Sequence, residues 1–476
     1  MPALLELLLA LCAAAAPALA ASARGVNTWS SFLGPSNESD TLAAAAYQAQ
    51  HLLPFGYASY TLDEGWQEAS SHHLIDGNGL PTWNPALYPA GLPALAAQLR
   101  AQGLTLGVWL MRGIPREAVA QRLPIAGSPY TCDQAARLDR NCSWSSHTYG
   151  ANGSPAAAAY YASLAARVAS WGVGFVKMDC LWPHLYEGTP QDYFNDDVAA
   201  ATAAFAASGA TLSLSPGISV SPQNASYLAS GARAALYRIA EDVLDVYDSA
   251  ADGTFPQGVH QKFAKAVEFE AFLGANGTYP DFDMLLAGRV VHSYDAAREL
   301  PPTETHLTPA EQQSQFTLFC FTGVPLIIGG RLPLGEDANG TATLALLTQR
   351  ELLAVHNASA SRRSFTPGAS GGGAGAELHG WVAVPAPAPS ARYVGVFSAG
   401  PLAGGAVGAV VRFAEDAGVA LAQACVRDLA SGEWQEPVGG DVGGGARGFA
   451  VGVQPHGSRA LLVTEVGDAA CRTGLA

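Results

Sequence analysis

Short apolar segments recur along the first two thirds of the chain, and each is followed by polar or glycine-containing residues and an alanine-rich stretch. Apolar runs of this length are typical of buried β-strands, and the alanine-rich stretches favour helices. The eight runs occupy residues 25–29, 57–63, 104–109, 175–179, 211–215, 235–239, 278–283 and 324–328. Eight strand–helix units over about 320 residues predict a (β/α)8 TIM barrel in residues 25–345.

The pattern changes after about residue 362, where short alternating segments such as 381–384, 393–397 and 460–463 are separated by glycine and proline. Alternation of this kind predicts an antiparallel β-sheet domain, which we place in residues 376–476. The glycine-rich run 371–375 has the composition of a linker, and we assign residues 346–375 to it.

Charged and aromatic residues are concentrated where the predicted barrel strands end. In TIM barrels the active site lies at the C-terminal ends of the strands. Any one of these residues could equally be an ordinary surface charge or a core aromatic. Ten of them at one rim of the barrel predict a binding pocket. They are Trp29, Asp63, Glu64, Trp109, Lys177, Asp179, Arg238, Asp242, Asp283 and Met284.

Lys177 and Asp179 end the fourth predicted strand. Residues two apart in a strand point to the same side, and an isolated buried carboxylate is costly, so Lys177 is expected to be the electrostatic partner of Asp179. An ionised carboxylate at a barrel mouth suits a nucleophile.

Composition narrows the class of partner. The 476 residues carry a formal net charge of -15, with no basic stripe, which argues against a nucleic-acid partner. Residues 1–20 are apolar and end in Ala18-Leu19-Ala20, which predicts a cleaved secretory signal peptide. No later segment reaches the ~18 apolar residues of a membrane span. We therefore expect a secreted protein with no membrane partner.

Sequons and cysteines agree with export. Asn-x-Ser/Thr sequons, which predict a glycoprotein, occur at Asn37, Asn141, Asn152, Asn224, Asn276, Asn339 and Asn357. Six cysteines remain after the signal peptide, and the pairs Cys132–Cys142 and Cys425–Cys471 are favoured by proximity among 15 possible pairings. No Cys-x-x-Cys motif or His cluster has metal-ligand spacing, so we predict no metal and no cofactor.

Several segments resemble, in order, motifs of glycoside hydrolase family 27, the α-galactosidases or melibiases. They are Gly25-Val-Asn-Thr-Trp29, Tyr60-Thr-Leu-Asp-Glu-Gly-Trp66, Tyr88-Pro-Ala-Gly-Leu92, Gly103-Leu-Thr-Leu-Gly-Val-Trp109, Trp171-Gly-Val-Gly-Phe-Val-Lys-Met-Asp-Cys180, Arg238-Ile-Ala-Glu-Asp242, Asp281-Phe-Asp-Met284 and Gly323-Val-Pro-Leu-Ile-Ile-Gly329. The resemblance covers residues 25–345. It implies a retaining hydrolase that acts on galactosides through a covalent glycosyl-enzyme intermediate.

The resemblance also implies the role of each site residue. Asp179 would be the nucleophile and Asp242 the general acid and base, and a retaining mechanism needs two such carboxyl groups about 5 to 5.5 Å apart. Asp63, Glu64, Lys177, Arg238 and Asp283 would bind sugar hydroxyls. Trp29 and Trp109 would form apolar walls, with Met284 beneath the sugar.

Glu64 departs from the family pattern, in which an aspartate usually stands at this position. The extra methylene could fill the space of the galactose hydroxymethyl group, which β-L-arabinopyranose lacks. The segments 129–134, 142–144 and 213–217 also look closer to the arabinopyranosidase branch of the family. We expect α-galactosidase activity, with β-L-arabinopyranosidase or dual activity as the alternative. A non-catalytic galactose-binding protein and a structural cell-wall glycoprotein are alternatives from other classes, and the sequence predicts no oligomeric state.

Overall fold

The computed structural model describes most of the chain from Ala23 to Glu465. Within that range the description leaves out residues 70–71, 143, 182–194, 217–234, 250–256, 275–276, 292–301, 371–375, 387, 389, 402–404 and 444. The predicted signal peptide and the sequons at Asn224 and Asn276 lie outside the described residues.

Eight parallel strands form the first sheet. They are β1 (Arg24–Asn27), β2 (Ser59–Leu62), β3 (Thr105–Met111), β4 (Phe175–Asp179), β5 (Thr211–Ser215), β6 (Leu236–Arg238), β7 (Tyr279–Asp281) and β8 (Leu326–Ile328). Strands β1 to β7 pair consecutively in chain order, and β1 also pairs with β8. Leu285, shortly after β7, forms a parallel bridge to Ile328 of β8 and brings the two ends of the sheet together. The predicted (β/α)8 TIM barrel is confirmed, with a strand in each of the eight predicted runs.

Helices cover the outside of the sheet. The longer ones are Glu38–His51, Leu92–Ala101, Pro155–Ser170, Asn195–Ser208, His260–Glu268, Pro309–Thr322, Ala338–Leu347 and Arg350–Ala358. Short helical turns occupy Trp29–Phe32, Leu53–Phe55, Arg116–Ala120, Cys132–Ala135 and Glu270–Phe272. Their starts follow from local sequence: Thr308 and Glu311 form a reciprocal capping box ahead of Pro309–Thr322. No described helix has the length and apolar character needed to cross a membrane.

Alternate residues of β3 belong to two different clusters. Leu106, Val108 and Leu110 are buried in the main core, whereas Trp109 and Met111 form a small cluster with Cys142 and Cys180. This alternation follows from the two-residue period of a strand. It places the Trp109 indole beside the end of β4.

Short strands build up the rim after β2, β3 and β7. Glu68–Ala69 pairs with His72–His73, and Arg289–Val290 pairs with Thr303–Glu304. A third small sheet contains Ile114–Pro115, Ala136–Asn141 and Thr148–Ala151.

The predicted Cys132–Cys142 disulfide is wrong. Cys142 instead bonds to Cys180, directly after β4, and Cys132 is a free, buried thiol. The reason is that Ala136–Asn141 carries Cys142 to the end of β4, while Cys132 begins a helical turn packed in the core. Cys425 is also disulfide-bonded, but Cys471, its predicted partner, lies outside the described residues.

Two antiparallel sheets form the C-terminal β-sandwich, as predicted. Their strands are β9 (Ser359–Phe365), β10 (Gly368–Ser370), β11 (Leu378–Pro385), β12 (Arg392–Ser398), β13 (Val407–Arg412), β14 (Ala424–Asp428), β15 (Trp434–Val438), β16 (Gly440–Asp441), β17 (Arg447–Val453) and β18 (Ser458–Glu465). The sheet orders are β9-β11-β12-β18-β14-β15 and β10-β13-β17-β16. Val394 and Val396 of the first sheet share a buried cluster with Val411 and Phe449 of the second.

The segment 346–375, predicted as a linker, is largely regular structure. It contains the helix Arg350–Ala358, strand β9 and strand β10. Leu352 and Val355 of the helix are buried, and β9 pairs with β11 along most of its length. Composition identified the glycine run as loop but did not predict the helix or the two strands, because these elements are stabilised by packing against distant parts of the chain.

The sandwich packs directly on the barrel. Trp381 and Phe397 of the sandwich belong to the same buried cluster as Phe319 and Phe321 of the helix Pro309–Thr322. Gly395 lies against the Phe321 ring, where an added Cβ would come within 3.1 Å of the ring. The two units therefore share one apolar core.

Candidate active site

Asp63 and Lys177 form a buried ion pair inside the barrel. The Lys177 Nζ lies 2.9 Å from Asp63 Oδ2, and the same oxygen accepts a hydrogen bond of 2.7 Å from Asn27 Nδ2. Asp63 is only 4% exposed, so its charge depends on these two donors. The ends of β1, β2 and β4 are thus joined through one carboxylate.

Lys177 interacts electrostatically with Asp179, as predicted, but its direct ion pair is with Asp63. Asp179 Oδ2 accepts a hydrogen bond of 3.0 Å from Trp109 Nε1, and Asp179 Oδ1 accepts one of 2.7 Å from the Cys180 backbone N–H. Lys177 lies two residues earlier on β4 and reaches Asp63 across β3, which pairs with both β2 and β4. Both Asp179 oxygens are therefore held by donors other than lysine.

Arg238 forms the centre of a second charged group. Its Nη1 lies 2.7 Å from Asp242 Oδ1 and 3.9 Å from Asp283 Oδ2. Asp283 Oδ2 also accepts a hydrogen bond of 2.9 Å from the Val243 backbone N–H. Burial raises the pKa of Asp283, although Arg238 opposes this rise. Arg238 is buried and Asp242 is 30% exposed, so Asp242 is the member of this group that meets solvent.

The two charged groups form one electrostatic cluster. Burial disfavours the charge of Lys177, but the carboxylates of Asp63, Asp179 and Asp283 raise its pKa above the ordinary value. Burial likewise opposes the charge of Arg238, and Asp242, Asp283 and Asp179 outweigh it and raise the pKa. Asp179 and Asp242 therefore both act on the Arg238 charge.

Glu64 is held in its protonated form by its surroundings. Burial raises its pKa to about 8, the carboxylates of Asp63, Glu68 and Asp179 contribute in the same direction, and Lys177 opposes them. Below that pH the side chain carries an O–H group, so it can donate a hydrogen bond as well as accept one.

Glu64 also belongs to a group of described residues that could hold a metal ion. Possible ligand atoms of Glu64, Glu68 and His73 lie within 4.8 Å of one another. Glu68 and His73 face each other across the short rim hairpin, with the His73 Nε2 3.5 Å from Glu68 Oε1. The sequence predicted no metal site here, because neither spacing nor local motif links these residues.

A small cavity of about 30 Å³ lies below the charged groups, and it is large enough for a water molecule. Its lining includes Lys177, Arg238, Asp283, Met284 and Ser213. The Met284 side chain thus lies deep in the barrel.

The predicted site residues fall into three sets: those in direct contact, two that border these contacts, and Trp29 at the edge. Asp63 with Lys177, Trp109 with Asp179, and Arg238 with Asp242 and Asp283 are direct contacts. Glu64 and Met284 border them. Trp29 is partly buried against the main core, and its backbone N–H donates to Asn27 Oδ1.

Sequence reasoning missed Asn27, Glu241 and Lys262. Asn27 stands at the end of β1 and holds Asp63, so the strand-end rule could have found it. Glu241 adjoins Asp242, and burial raises its pKa to about 8. Lys262 lies in the helix His260–Glu268, 21 residues after Glu241, and no sequence signal links it to the site.

The chain is similar to several known proteins in sequence. No family model matches the chain. A protein named probable α-galactosidase D from Aspergillus oryzae is 25% identical over 339 residues, which cover 69% of this chain and 42% of that protein. α-Galactosidase D from Emericella nidulans is 26% identical over 321 residues, which cover 64% of this chain and 37% of that protein. The chain spans about two fifths of the length of these curated relatives.

Solved structures match nearly the whole chain. A family 27 β-L-arabinopyranosidase from Geobacillus stearothermophilus superposes with a TM-score of 0.79 and 25% identity, covering 94% of this chain and 98% of that one. That enzyme is named as a member of glycoside hydrolase family 27, the family whose motifs this sequence resembles. α-Galactosidase I from Mortierella vinacea, with a TM-score of 0.67, 17% identity and coverage of 94% and 98%, shows the same fold.

The motifs that resemble family 27 lie together at one end of the barrel. Thr61 to Trp66, Trp109 and Asp179 all occur at the C-terminal ends of β2, β3 and β4. The charged cluster is thus built at the barrel face where TIM-barrel enzymes carry their active sites.

Proposed function

We propose that this chain is a retaining exo-α-galactosidase that releases terminal α-D-galactosyl residues from oligosaccharides, polysaccharides or glycoconjugates. The observation that supports the proposal is that two carboxyl groups at strand ends, Asp179 and Asp242, both favour the charge of the buried Arg238, with Asp242 in direct contact with it. The curated relatives, named as α-galactosidases, support the same activity.

Asp179 is the nucleophile in this proposal. Trp109 Nε1 and the Cys180 N–H each hold one of its oxygens, so the carboxylate is oriented before substrate arrives. One oxygen attacks the anomeric carbon, the bond to the leaving oxygen breaks, and a covalent glycosyl-enzyme ester forms.

Asp242 is the general acid and base. Its proton passes to the leaving oxygen in the first step, and the resulting carboxylate takes a proton from water in the second. The water oxygen then attacks the anomeric carbon and releases Asp179 as a carboxylate. Partial exposure of Asp242 suits this role, because the acid must meet the leaving group and then a water molecule.

The remaining charged residues would bind the sugar. Asp63 and Lys177 offer an acceptor and a donor fixed by their own ion pair. Glu64 in its protonated form would donate to a ring hydroxyl. Asp283 would accept from the hydroxyl next to the anomeric carbon, and Trp29 and Trp109 would border the apolar face. The substrate is a carbohydrate, and no cofactor enters these steps.

Release of 4-nitrophenol from its α-D-galactopyranoside and its β-L-arabinopyranoside tests the proposal. The wild type should hydrolyse the galactoside more efficiently, NMR should show α-galactose as the first product, and Asp179→Asn should abolish turnover. Faster hydrolysis of the arabinopyranoside would favour the activity of the Geobacillus enzyme, of which a variant has been solved in complex with arabinose. Galactose binding with no turnover of either compound would identify a binding protein instead.

We further infer that the protein is exported through its N-terminal apolar segment and is a glycoprotein. The Cys142–Cys180 disulfide supports an oxidising destination. N-terminal sequencing of protein from the culture medium should begin near Ala21, and treatment with a glycosidase that removes N-linked glycans should lower the mass.

A further inference from the structure

Lys262 is a fully buried lysine that the proposed mechanism does not use. It lies in the helix His260–Glu268 and is 0% exposed. Its Nζ has two weak contacts, each 3.4 Å long, to the Glu241 carbonyl oxygen and to Gln257 Oε1. Among the described residues, no carboxylate lies within ion-pair distance of this nitrogen. Because a buried ammonium group is costly unless it is compensated, its position requires an explanation.

The groups around Lys262 are those of the active site. Asp283, Glu241 and Asp242 favour its charge, and Arg238 opposes it. Burial lowers the pKa of Lys262 to about 8, so the ammonium form dominates in acid and at neutral pH. Its positive charge is therefore shared among several carboxyl groups instead of being neutralised by one.

Gln257 links Lys262 to the backbone of the general acid. The Gln257 N–H donates to the Asp242 carbonyl oxygen at 3.0 Å, and Gln257 Oε1 accepts from the Glu241 N–H at 3.3 Å. The same Oε1 accepts from Lys262 Nζ. Lys262 thus supports the backbone of residues 241–242 from the buried side, while the Asp242 side chain meets solvent on the other.

We propose that Lys262 is a positioning residue for Asp242. Through Gln257, Lys262 holds the backbone at Asp242. Its positive charge also favours the Asp242 carboxylate, the form that activates water. The inference rests on the proposed glycosidase function. Lys262 touches no substrate in this scheme and acts only through Asp242. Removing the charge should make the Asp242 proton harder to release, so the enzyme should stay in its acid form to higher pH.

The test is the pH dependence of kcat/KM from pH 4 to 9 for wild type, Lys262→Met, Lys262→Arg and Lys265→Met. Lys262→Met should move the basic limb upward by about 0.5 to 1 pH unit and lower kcat more than it changes KM. Lys262→Arg should keep the wild-type limb. Lys265 is the matched control, because it lies on the same helix and pairs with Glu268 at the surface, and its variant should also keep the wild-type limb.

An unchanged basic limb in a folded Lys262→Met variant would overturn the inference while leaving the proposed function intact. If that variant does not fold, Gln257→Glu provides the test. A carboxylate beside Lys262 should offset the lysine charge and move the basic limb of the pH profile upward. An unchanged basic limb in this variant would overturn the inference. A wild type without glycosidase activity would overturn the proposed function, and the inference with it.

Discussion

Glu64 is the residue on which substrate choice should depend. Its carboxyl group is one methylene longer than the aspartate usual in the resembling motif, and its partly buried position limits where the longer side chain can extend. Shortening it by Glu64→Asp should raise the galactoside to arabinopyranoside ratio of kcat/KM by about tenfold, since a one-carbon difference is worth about 1 to 3 kcal/mol. Parallel assays with both 4-nitrophenyl glycosides measure the ratio. A level or falling ratio would show that side-chain length does not set the preference.

We expect Trp109 to contribute more to the chemical step than to substrate binding. Trp109→Phe removes the indole donor to Asp179 Oδ2 and keeps most of the apolar volume. We expect kcat/KM to fall by about tenfold or more, because a hydrogen bond to a charged group contributes about 1.5 to 3 kcal/mol. Trp434→Phe, in the β-sandwich, is the control that should leave the rate unchanged. Similar rates for both variants would show that the indole does not orient the nucleophile.

Three buried or partly buried carboxyl groups should make the protein less stable as pH rises. Burial raises the pKa of Glu64 and Glu241 to about 8 and that of Asp281 to about 7, while an unfolded chain releases these protons near pH 4. The folded state then binds more protons, so the free energy of unfolding falls with rising pH. His356, whose pKa burial lowers to about 3, acts in the opposite direction only below about pH 6.5.

The Tm measured by calorimetry should therefore decrease from pH 6.5 to pH 8. Glu241→Gln removes one of the three titrations and should flatten the decrease. A Tm that rises over this interval would show that these carboxyl groups are already ionised in the folded protein.

At the scale of elements, the disulfide fixes the end of β4 to the rim sheet after β3. Replacing both Cys142 and Cys180 by alanine should lower the free energy of unfolding by about 2 to 4 kcal/mol, because the cross-link no longer restricts the unfolded chain. Urea denaturation measures the loss. Cys132→Ala removes a buried thiol without a cross-link and should cost less, so an equal loss in both variants would argue against the cross-link as the cause.

The barrel strands were predictable and the rim was not. Each barrel strand is a short apolar run bounded by glycine or polar residues, and this local signal survives in the structure. The rim hairpin of Glu68–Ala69 and His72–His73 has two-residue strands, too short to show any period. The direct partner of Lys177 was missed for another reason: Asp63 is 114 residues away, and the two meet only because β2 and β4 both pair with β3. Site residues at strand ends could thus be named from sequence, but not their contacts.

At the scale of the whole molecule, barrel and sandwich should unfold together. Trp381 and Phe397 share a buried cluster with Phe319 and Phe321, so separation of the two units would expose large aromatic surfaces on both. Calorimetry should show one cooperative transition. A chain shortened to end at residue 358 should be insoluble, whereas two resolved transitions or a soluble, folded barrel would show that the sandwich is an independent addition.

Two strand ends at the site leave the barrel through backbone that most side chains avoid. Cys180, after the proposed nucleophile, has φ of 58°, and Asp283 has φ of 73°. Left-handed backbone is most accessible to glycine, asparagine and aspartate and least to β-branched residues. A saturation library at position 283, sorted for soluble expression with no activity screen, should therefore be enriched in Gly, Asn and Asp and depleted in Val and Ile. Such enrichment would show that backbone conformation, and not only catalysis, restricts which residues can occupy this position.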